Sequence, residues 1–453
     1  MKREPSTFRR AFLAAVAAAG TAGCSGLSGS GEETPTAQDS PSTPESATSK
    51  TATQPVTDPA TTTQTTATAT ETDTPTSKQR TTTDTDSPAD AESSTETADQ
   101  NQGGQSNSSS GNWPQFQYNA ANTGHAPNES GPTADVTEKW SFDAGAPVES
   151  SPVVVDGTVY VSTLRGEMYA LDAASGNEQW TPSVTTGAAP PVVVDKTVYI
   201  NRGGVLALNA ANGEDKWTFD TGSSTSPLME YEGTLYFGDM EGKVYAVDAT
   251  SGDKQWTLQT KTAILSAPAA RNGTVYISGK SKIYALDATD GSEQWTFPEG
   301  DLPGNYVASS PAVVDGTVYT GSGKGVYALK AANGKKQWSF LSETIDLSPA
   351  VVDGTVYIGT STSRVYALDA ASGNEQWSVD LGSYYQSSPA VVNGTVYIGN
   401  NDGNVYALDT TSGNKQWAFQ IDADHLVESS PAVVNGTVYI GSNDRNVYAL
   451  TES

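Results

Sequence analysis

Eight tryptophans, Trp140, Trp180, Trp217, Trp256, Trp295, Trp338, Trp377 and Trp417, recur at spacings of 40, 37, 39, 39, 43, 39 and 40 residues. A period near 40 in sequence with β-strand character marks a propeller of four-stranded blades, each too small to bury its apolar face without its neighbours. The unit from Ser388 to Phe419 reads SPAVVNGTVYIGNNDGNVYALDTTSGNKQWAF. Ala390 to Val392 and Thr395 to Gly399 are β-rich runs joined by Asn393-Gly394, whose two turn positions favour positive φ. Asn401-Asp402-Gly403 turns the chain into Asn404 to Asp409, and Thr410 to Asn414 turns it into Lys415 to Phe419. Each unit therefore supplies four antiparallel strands, named a to d from the ring axis outward.

Strand counting predicts how the ring closes. The a-b hairpins occur eight times, centred at Gly157, Lys196, Gly233, Gly273, Gly316, Gly354, Gly394 and Gly436, and the c strands also occur eight times. After the last c strand, around Tyr448, the sequence ends at Ser453 without another d strand. Before the first a strand, Glu138 to Phe142 is a d strand without a blade. Placing it on the outside of the last blade joins the two ends of the ring and leaves no exposed sheet edge there. The expected fold is an all-β, eight-bladed propeller over residues 111–453.

From Asn112 to Leu450 these units resemble the quinoprotein, or PQQ-like, repeat family. The motif carrying the resemblance is Tyr366-Ala367-Leu368-Asp369 followed by Ala370-Ala371-Ser372-Gly373-Asn374-Glu375-Gln376-Trp377. The resemblance implies that each tryptophan docks against the neighbouring blade. Trp113-Pro114-Gln115-Phe116, with Thr123-Gly124 following, is similar to the segment preceding the propeller in proteins related to the assembly lipoprotein BamB. The family includes dehydrogenases, scaffolds and sensor domains, so the repeat marks a fold more than a function.

The catalytic branch binds pyrroloquinoline quinone with calcium, using an Asp base, carboxylate and amide metal ligands, a Trp floor and a ring of adjacent disulfide-linked cysteines. This chain has one cysteine and two histidines. Its tryptophans belong to the repeat, and its connections are short where catalytic relatives carry long insertions. No residue is assigned a catalytic role, no cofactor is expected, and a PQQ- and calcium-dependent extracellular oxidoreductase is the alternative. Asn400 to Asn404 and Ser442 to Asn446 offer one carboxylate each, too few for calcium, and are read as b-c turns, so no metal is expected. Asp172, Asp248, Asp287, Asp369 and Asp409 are expected to cap the c-d turns.

The N-terminus carries Lys2, Arg3, Arg9 and Arg10, a short apolar run from Ala11 to Gly20, and Thr21-Ala22-Gly23-Cys24. A positive head before about ten apolar residues is an export signal rather than a span, which needs about 20. Arg9-Arg10 resembles the twin-arginine signature, and the residues ending in Cys24 resemble a lipobox, so residues 1–24 are read as a lipoprotein signal with lipidation at Cys24. Residues 25–110 are almost entirely Thr, Ser, Pro, Ala, Gln and acids, with 13 acids against Lys50, Lys78 and Arg80. Such a segment cannot bury enough apolar surface to offset its ordering entropy, and is read as a disordered stalk.

Antiparallel alternation sends the a-b and c-d turns to one face of the ring and the b-c and d-a connections to the other. The first set is uniform. The second varies, and its candidate partner residues are Arg165, Arg202, Tyr306, Arg364, Tyr384, Tyr385, Asp424, His425, Glu428 and Arg445. Aromatic anchors among mixed charges fit a protein-recognition surface. The whole chain has a formal charge of −27, and the propeller alone has 38 acids against 18 bases. That balance argues against nucleic acid, which needs clustered cations, and against electrostatic attraction to an anionic membrane. With the signal and the stalk, it resembles secreted lipoproteins of halophilic archaea. The expected protein is a monomeric protein-binding scaffold at the outer face of the cytoplasmic membrane, touching the membrane through its lipid alone.

Overall fold

The computed structural model describes residues 111–183, 185–298, 309–341, 344–384 and 387–453. The export signal, Cys24 and the stalk lie outside them. Among the described residues there are eight four-stranded antiparallel sheets and no helix. The unit read from Ser388 onward folds as Ala390–Val392, Thr395–Gly399, Asn404–Asp409 and Lys415–Gln420, within one residue of its sequence reading. Blades 1 to 7 begin at Val153, Val192, Met229, Ala269, Ala312, Ala350 and Ala390.

Blade 8 joins the two ends of the ring. Its a, b and c strands are Ala432–Val434, Thr437–Gly441 and Asn446–Glu452, and its d strand is Val136–Asp143. Ser141 pairs with Tyr448 and Trp140 with Ala449, across a bulge between Glu138 and Trp140. The b strands are buried along their whole length, as in Thr395–Gly399, because both faces of each sheet pack on a neighbouring blade. The d strands alternate exposed and covered residues, as expected at the rim.

The a-b hairpins turn as their residues require. Asn393, Asn435, Asp156 and Asp353 have φ between 46° and 50°, each followed by a glycine at 71° to 77°. These are the two positive-φ positions of a tight hairpin turn. Blade 2 makes the same turn with Asp195 and Lys196, at 48° and 59°.

Candidate functional site

The blade interfaces share one latch. The Nε1–H groups of Trp140, Trp180, Trp256, Trp295, Trp338, Trp377 and Trp417 each donate to a backbone carbonyl at 2.7–3.1 Å. For six of them the acceptor is the second residue of the next blade's c-d turn, such as Ala370 for Trp338. A tyrosine hydroxyl from strand b reaches the same carbonyl, as Tyr319 does to Ala370 at 3.2 Å. In all eight blades the Tyr and Trp rings are tilted against one another with centroids 5.8–5.9 Å apart. The turn glycine explains itself here: Gly373 has φ of 74°, and a Cβ would lie 2.5 Å from the Trp338 ring. All eight sequence-predicted docking tryptophans occupy this position, but Trp217 departs from the pattern. Its ring lies against Gly252, while its buried Nε1–H has no hydrogen-bond partner.

Trp417 exposes a substitution that strand counting did not foresee. Blade 8 has no c-d turn, because its c strand comes from the end of the chain and its d strand from near Val136. Pro132 takes the place of that turn, and its carbonyl accepts from both Trp417 and Tyr397, at 2.9 and 3.0 Å.

Ahead of Pro132, the chain fills the ring axis. The inner edge of each a strand has no further strand to pair with, so its N–H groups need other acceptors. Residues Trp113 to Gly124 supply them: Val154, Val193, Glu230, Ala270, Val313, Val351 and Val391 donate to Trp113, Pro114, the Gln115 side chain, Ala120, Ala121, Thr123 and Gly124, at 2.6–3.1 Å. The Asn122 amide reaches the Pro268 and Pro311 carbonyls at 2.9 and 3.1 Å. Trp113, Tyr118 and Asn122 are at most 3% exposed. This axial segment emerges at the a-b turns, where Asn112 accepts from Asp156 N–H and Ser130 from Gly436 N–H. Gly111 lies beside Asn435 there, so the chain enters the ring on the uniform turn face.

Nearer the opposite face, serines at the start of the a strands stitch consecutive blades. The N–H groups of Ala267, Ser310, Ser348, Ser388 and Ser430 donate to Oγ of Ser310, Ser348, Ser388, Ser430 and Ser151, at 2.9–3.1 Å. The seam runs from blade 4 through blade 8 to blade 1. In blades 2 and 3 the equivalent positions are Pro190 and Pro227.

Seven of the ten predicted partner residues are exposed among the described residues. Arg165, Arg202 and Arg445 are exposed in three different b-c turns, Arg364 is exposed at the start of a c strand, and Tyr384 is 39% exposed in a d-a loop. Asp424 and His425 are exposed in the blade 7 to blade 8 loop, where His425 Nδ1 lies 3.1 Å from Asp422. Glu428, read as part of this face, is instead buried at 7% exposure, because Val427 beside it packs against Gly399 and pulls the loop's end inward. Tyr306 and Tyr385 lie outside the described residues.

The acidic b-c clusters are used within the turns. Asp402 accepts Asn404 N–H and the Tyr406 hydroxyl, and Asp444 accepts Asn446 N–H and the Tyr448 hydroxyl. Burial, reinforced by these carboxylates, pushes both tyrosines above the usual phenol range. Asp172, Asp369 and Asp409 accept from the serine three residues on, which holds their carboxyls below the usual range. These are the c-d caps expected from sequence, and Asp248 caps likewise.

Among the described residues no three His, Cys, Asp or Glu side chains are grouped to hold a metal ion. The repeat tryptophans are committed to blade docking, the chain's single cysteine is Cys24, and the axial segment packs against the inner strands.

The fold and its repeated latch define an eight-bladed propeller of the PQQ-like repeat class. A family profile described as outer membrane protein assembly factor BamB matches residues 133–233, 201–344 and 322–453. The chain belongs to that family. BamB from Moraxella catarrhalis superposes with a TM-score of 0.59 at 20% identity, covering 70% of this chain and 98% of that one. The quinohemoprotein alcohol dehydrogenase ADHIIG from Pseudomonas putida HK5 superposes at 0.61 with 15% identity, covering 75% and 80%. The computationally designed Ika8 protein does so at 0.61 with 15% identity, covering 69% and 98%. At these identities the likeness concerns the fold. No curated protein sequence matches the chain.

Proposed function

We propose that this protein is a non-enzymatic, lipid-anchored scaffold that presents its b-c and d-a face to a protein partner. In this reading Arg9 and Arg10 direct export, Cys24 carries the lipid at the outer face of the cytoplasmic membrane, and residues 25–110 form the tether. The observation that carries it is the entry of the chain at Gly111 on the uniform turn face. Gly111 and the variable face, with Tyr384 and the exposed arginines, lie on opposite sides of the ring. Mixed charge around an aromatic anchor suits a protein partner.

The test is photo-cross-linking on intact cells from probes replacing Arg165, Arg364 or Arg445, with a probe at Asp315 on the turn face as control. A shared cross-linked protein from the first three and none from the control is the expected outcome. Equal capture from both faces overturns the choice of face. Stoichiometric uptake of pyrroloquinoline quinone with calcium, with dye reduction, overturns the non-enzymatic reading.

A further inference from the structure

We propose that Asn128 is an N-glycan acceptor, and that of the four described Asn-x-Ser/Thr tripeptides it alone is open to enzymatic glycosylation in the folded ring. The four are Asn128-Glu129-Ser130, Asn272-Gly273-Thr274, Asn393-Gly394-Thr395 and Asn435-Gly436-Thr437, and Asn107 lies outside the described residues. Such a tripeptide is an acceptor on a surface loop of an exported protein, so the proposal rests on the export reading above. Transfer also requires the asparagine amide and the third residue's hydroxyl to reach the transferase together.

Three tripeptides fail that requirement. Asn272, Asn393 and Asn435 are the first residues of a-b turns, with φ of 52°, 46° and 50°. The threonine that follows begins the buried b strand, and Thr274, Thr395 and Thr437 are 9%, 0% and 4% exposed. The hydroxyls of Thr274 and Thr395 bond to Gln294 and Gln416 at 3.2 and 3.1 Å. Each threonine backbone is paired on both sides, as Thr395 is with Val392 and Asp409. Presenting these tripeptides would require melting a hairpin inside the ring.

Asn128 stands outside this constraint. It follows Pro127 in a turn where Glu129 N–H approaches the Ala126 carbonyl at 3.4 Å, and both Asn128 and Ser130 are exposed. The turn is tied by Ala126 N–H donating to Val391, by the Ser130 carbonyl accepting from Gly436 and by the buried Glu129 carboxylate accepting from Asn435 N–H at 2.9 Å, while the Asn128 and Ser130 side chains stay outside these ties. It projects on the face where the chain enters, beside Gly111, whose N–H is bonded to Glu129. A glycan there would leave the variable face clear.

In the transfer, the Asn128 amide nitrogen attacks the anomeric carbon of a lipid-pyrophosphate-linked oligosaccharide. A C–N bond forms as the C–O bond to phosphate breaks, the lipid pyrophosphate leaves with the electron pair, and the amide nitrogen loses a proton to a base of the transferase.

The test incubates the folded full chain, with Asn107→Gln to silence the stalk, with a purified single-subunit oligosaccharyltransferase and a lipid-linked oligosaccharide. A protease digest of the same chain is treated in parallel, and glycopeptides are mapped by mass spectrometry. The folded chain should gain mass at Asn128 alone, Asn128→Gln should abolish the gain, and the digest should also be modified at Asn272, Asn393 or Asn435. Modification of Asn393 in the folded chain to the same extent as Asn128 overturns the proposal. So does an Asn128 site that stays unmodified in the folded chain, whether or not its peptide is a substrate. No cell is involved, so failure of the export reading would appear in fractionation and not in this reaction.

Discussion

Blades 4 to 8 and blade 1 form an arc in which neighbours are tied twice, by the outer Tyr–Trp latch and by the inner serine seam. Across blades 1 to 4 the inner tie is missing, since Pro190 and Pro227 lack both hydroxyl and N–H and Ala267 lacks the hydroxyl. Between blades 2 and 3 the outer latch is incomplete as well, because Trp217 Nε1–H is unpartnered while Tyr199 alone reaches Ala249, at 2.9 Å. Asn201 compensates there, its amide donating to Thr225 and Ser226 in the loop entering blade 3 at 2.6–3.4 Å. The two arcs show that a repeat can conserve its outer docking motif while its axial contacts diverge. The axial segment touches the a strands of both arcs, and so couples a doubly tied region to a singly tied one.

The largest effect should come from removing that coupling. Deleting residues 111–143 takes away the axial segment, the Pro132 surrogate turn and the d strand of blade 8, leaving the c strand of blade 8 without its outer partner and the inner N–H groups of the a strands without their acceptors. The expected outcome is loss of cooperative thermal unfolding by circular dichroism. Limited proteolysis should then cut within blades 2 and 3 before blades 5 to 7. Cleavage in the reverse order breaks the comparison.

The second effect separates the arcs at the outer latch. Trp338→Phe keeps a ring over Gly373 but removes the donor to Ala370, which a net hydrogen bond makes worth about 1 kcal/mol. Trp217→Phe removes an N–H that has no partner, so it should be the milder substitution by about that amount. Urea midpoints of the two variants measure the difference, and equal losses would show that the Trp338 hydrogen bond contributes nothing.

These arcs also show what was legible in the residues. Blade number, strand order and the closing strand follow from the tryptophan period and from one unpaired d strand, both written in side chains. The Asp caps follow from short polar residues at a fixed offset before glycine. The axial segment was not legible in the same way, since most of its bonds to the a strands run from backbone carbonyls that carry no residue signature and join positions far apart in sequence. Pro132 was missed for that reason: it replaces a turn with a single carbonyl. Glu428 was read as a partner residue from its place in a variable d-a loop, while it lies buried beside Val427. The serine seam was written in the repeat as Ser before Pro, but its meaning depends on the neighbouring blade's register.

A third pair of substitutions tests the inner seam. Ser310→Ala leaves the buried Ala267 N–H without its acceptor and should cost about 1–3 kcal/mol in a urea titration. The converse substitution, Ala267→Ser, adds a hydroxyl at the same ring of positions, but the preceding blade presents Pro227, which has no N–H to give. It should change stability by less than about 0.5 kcal/mol. A clear gain from Ala267→Ser would mean that the serines act through something other than this interblade bond.

The smallest effects are titrations, and they have opposite signs in the two arcs. Asp369, in the doubly tied arc, is partly exposed, and its hydrogen bonds from Ser372 lower its carboxyl below the usual value of 3.8. Its contribution is present above that unfolded value and is lost as pH falls through the lower folded one. Glu230, in blade 3, is held above its usual 4.5 chiefly by burial, against a hydrogen bond from Gly233. Its folded state favours the neutral acid, so its contribution is present below 4.5 and is lost as pH rises through the raised value. Glu230→Gln should therefore gain stability relative to the parent at neutral pH, and that advantage should shrink as the solution is acidified toward the ordinary glutamate range. Asp369→Asn keeps a side-chain acceptor for the turn and should lose only the part of the parent's pH dependence that lies below 3.8. Urea midpoints across the acid range read both, and a Glu230→Gln advantage that grows on acidification would reverse the assignment of burial as the dominant cause at that site.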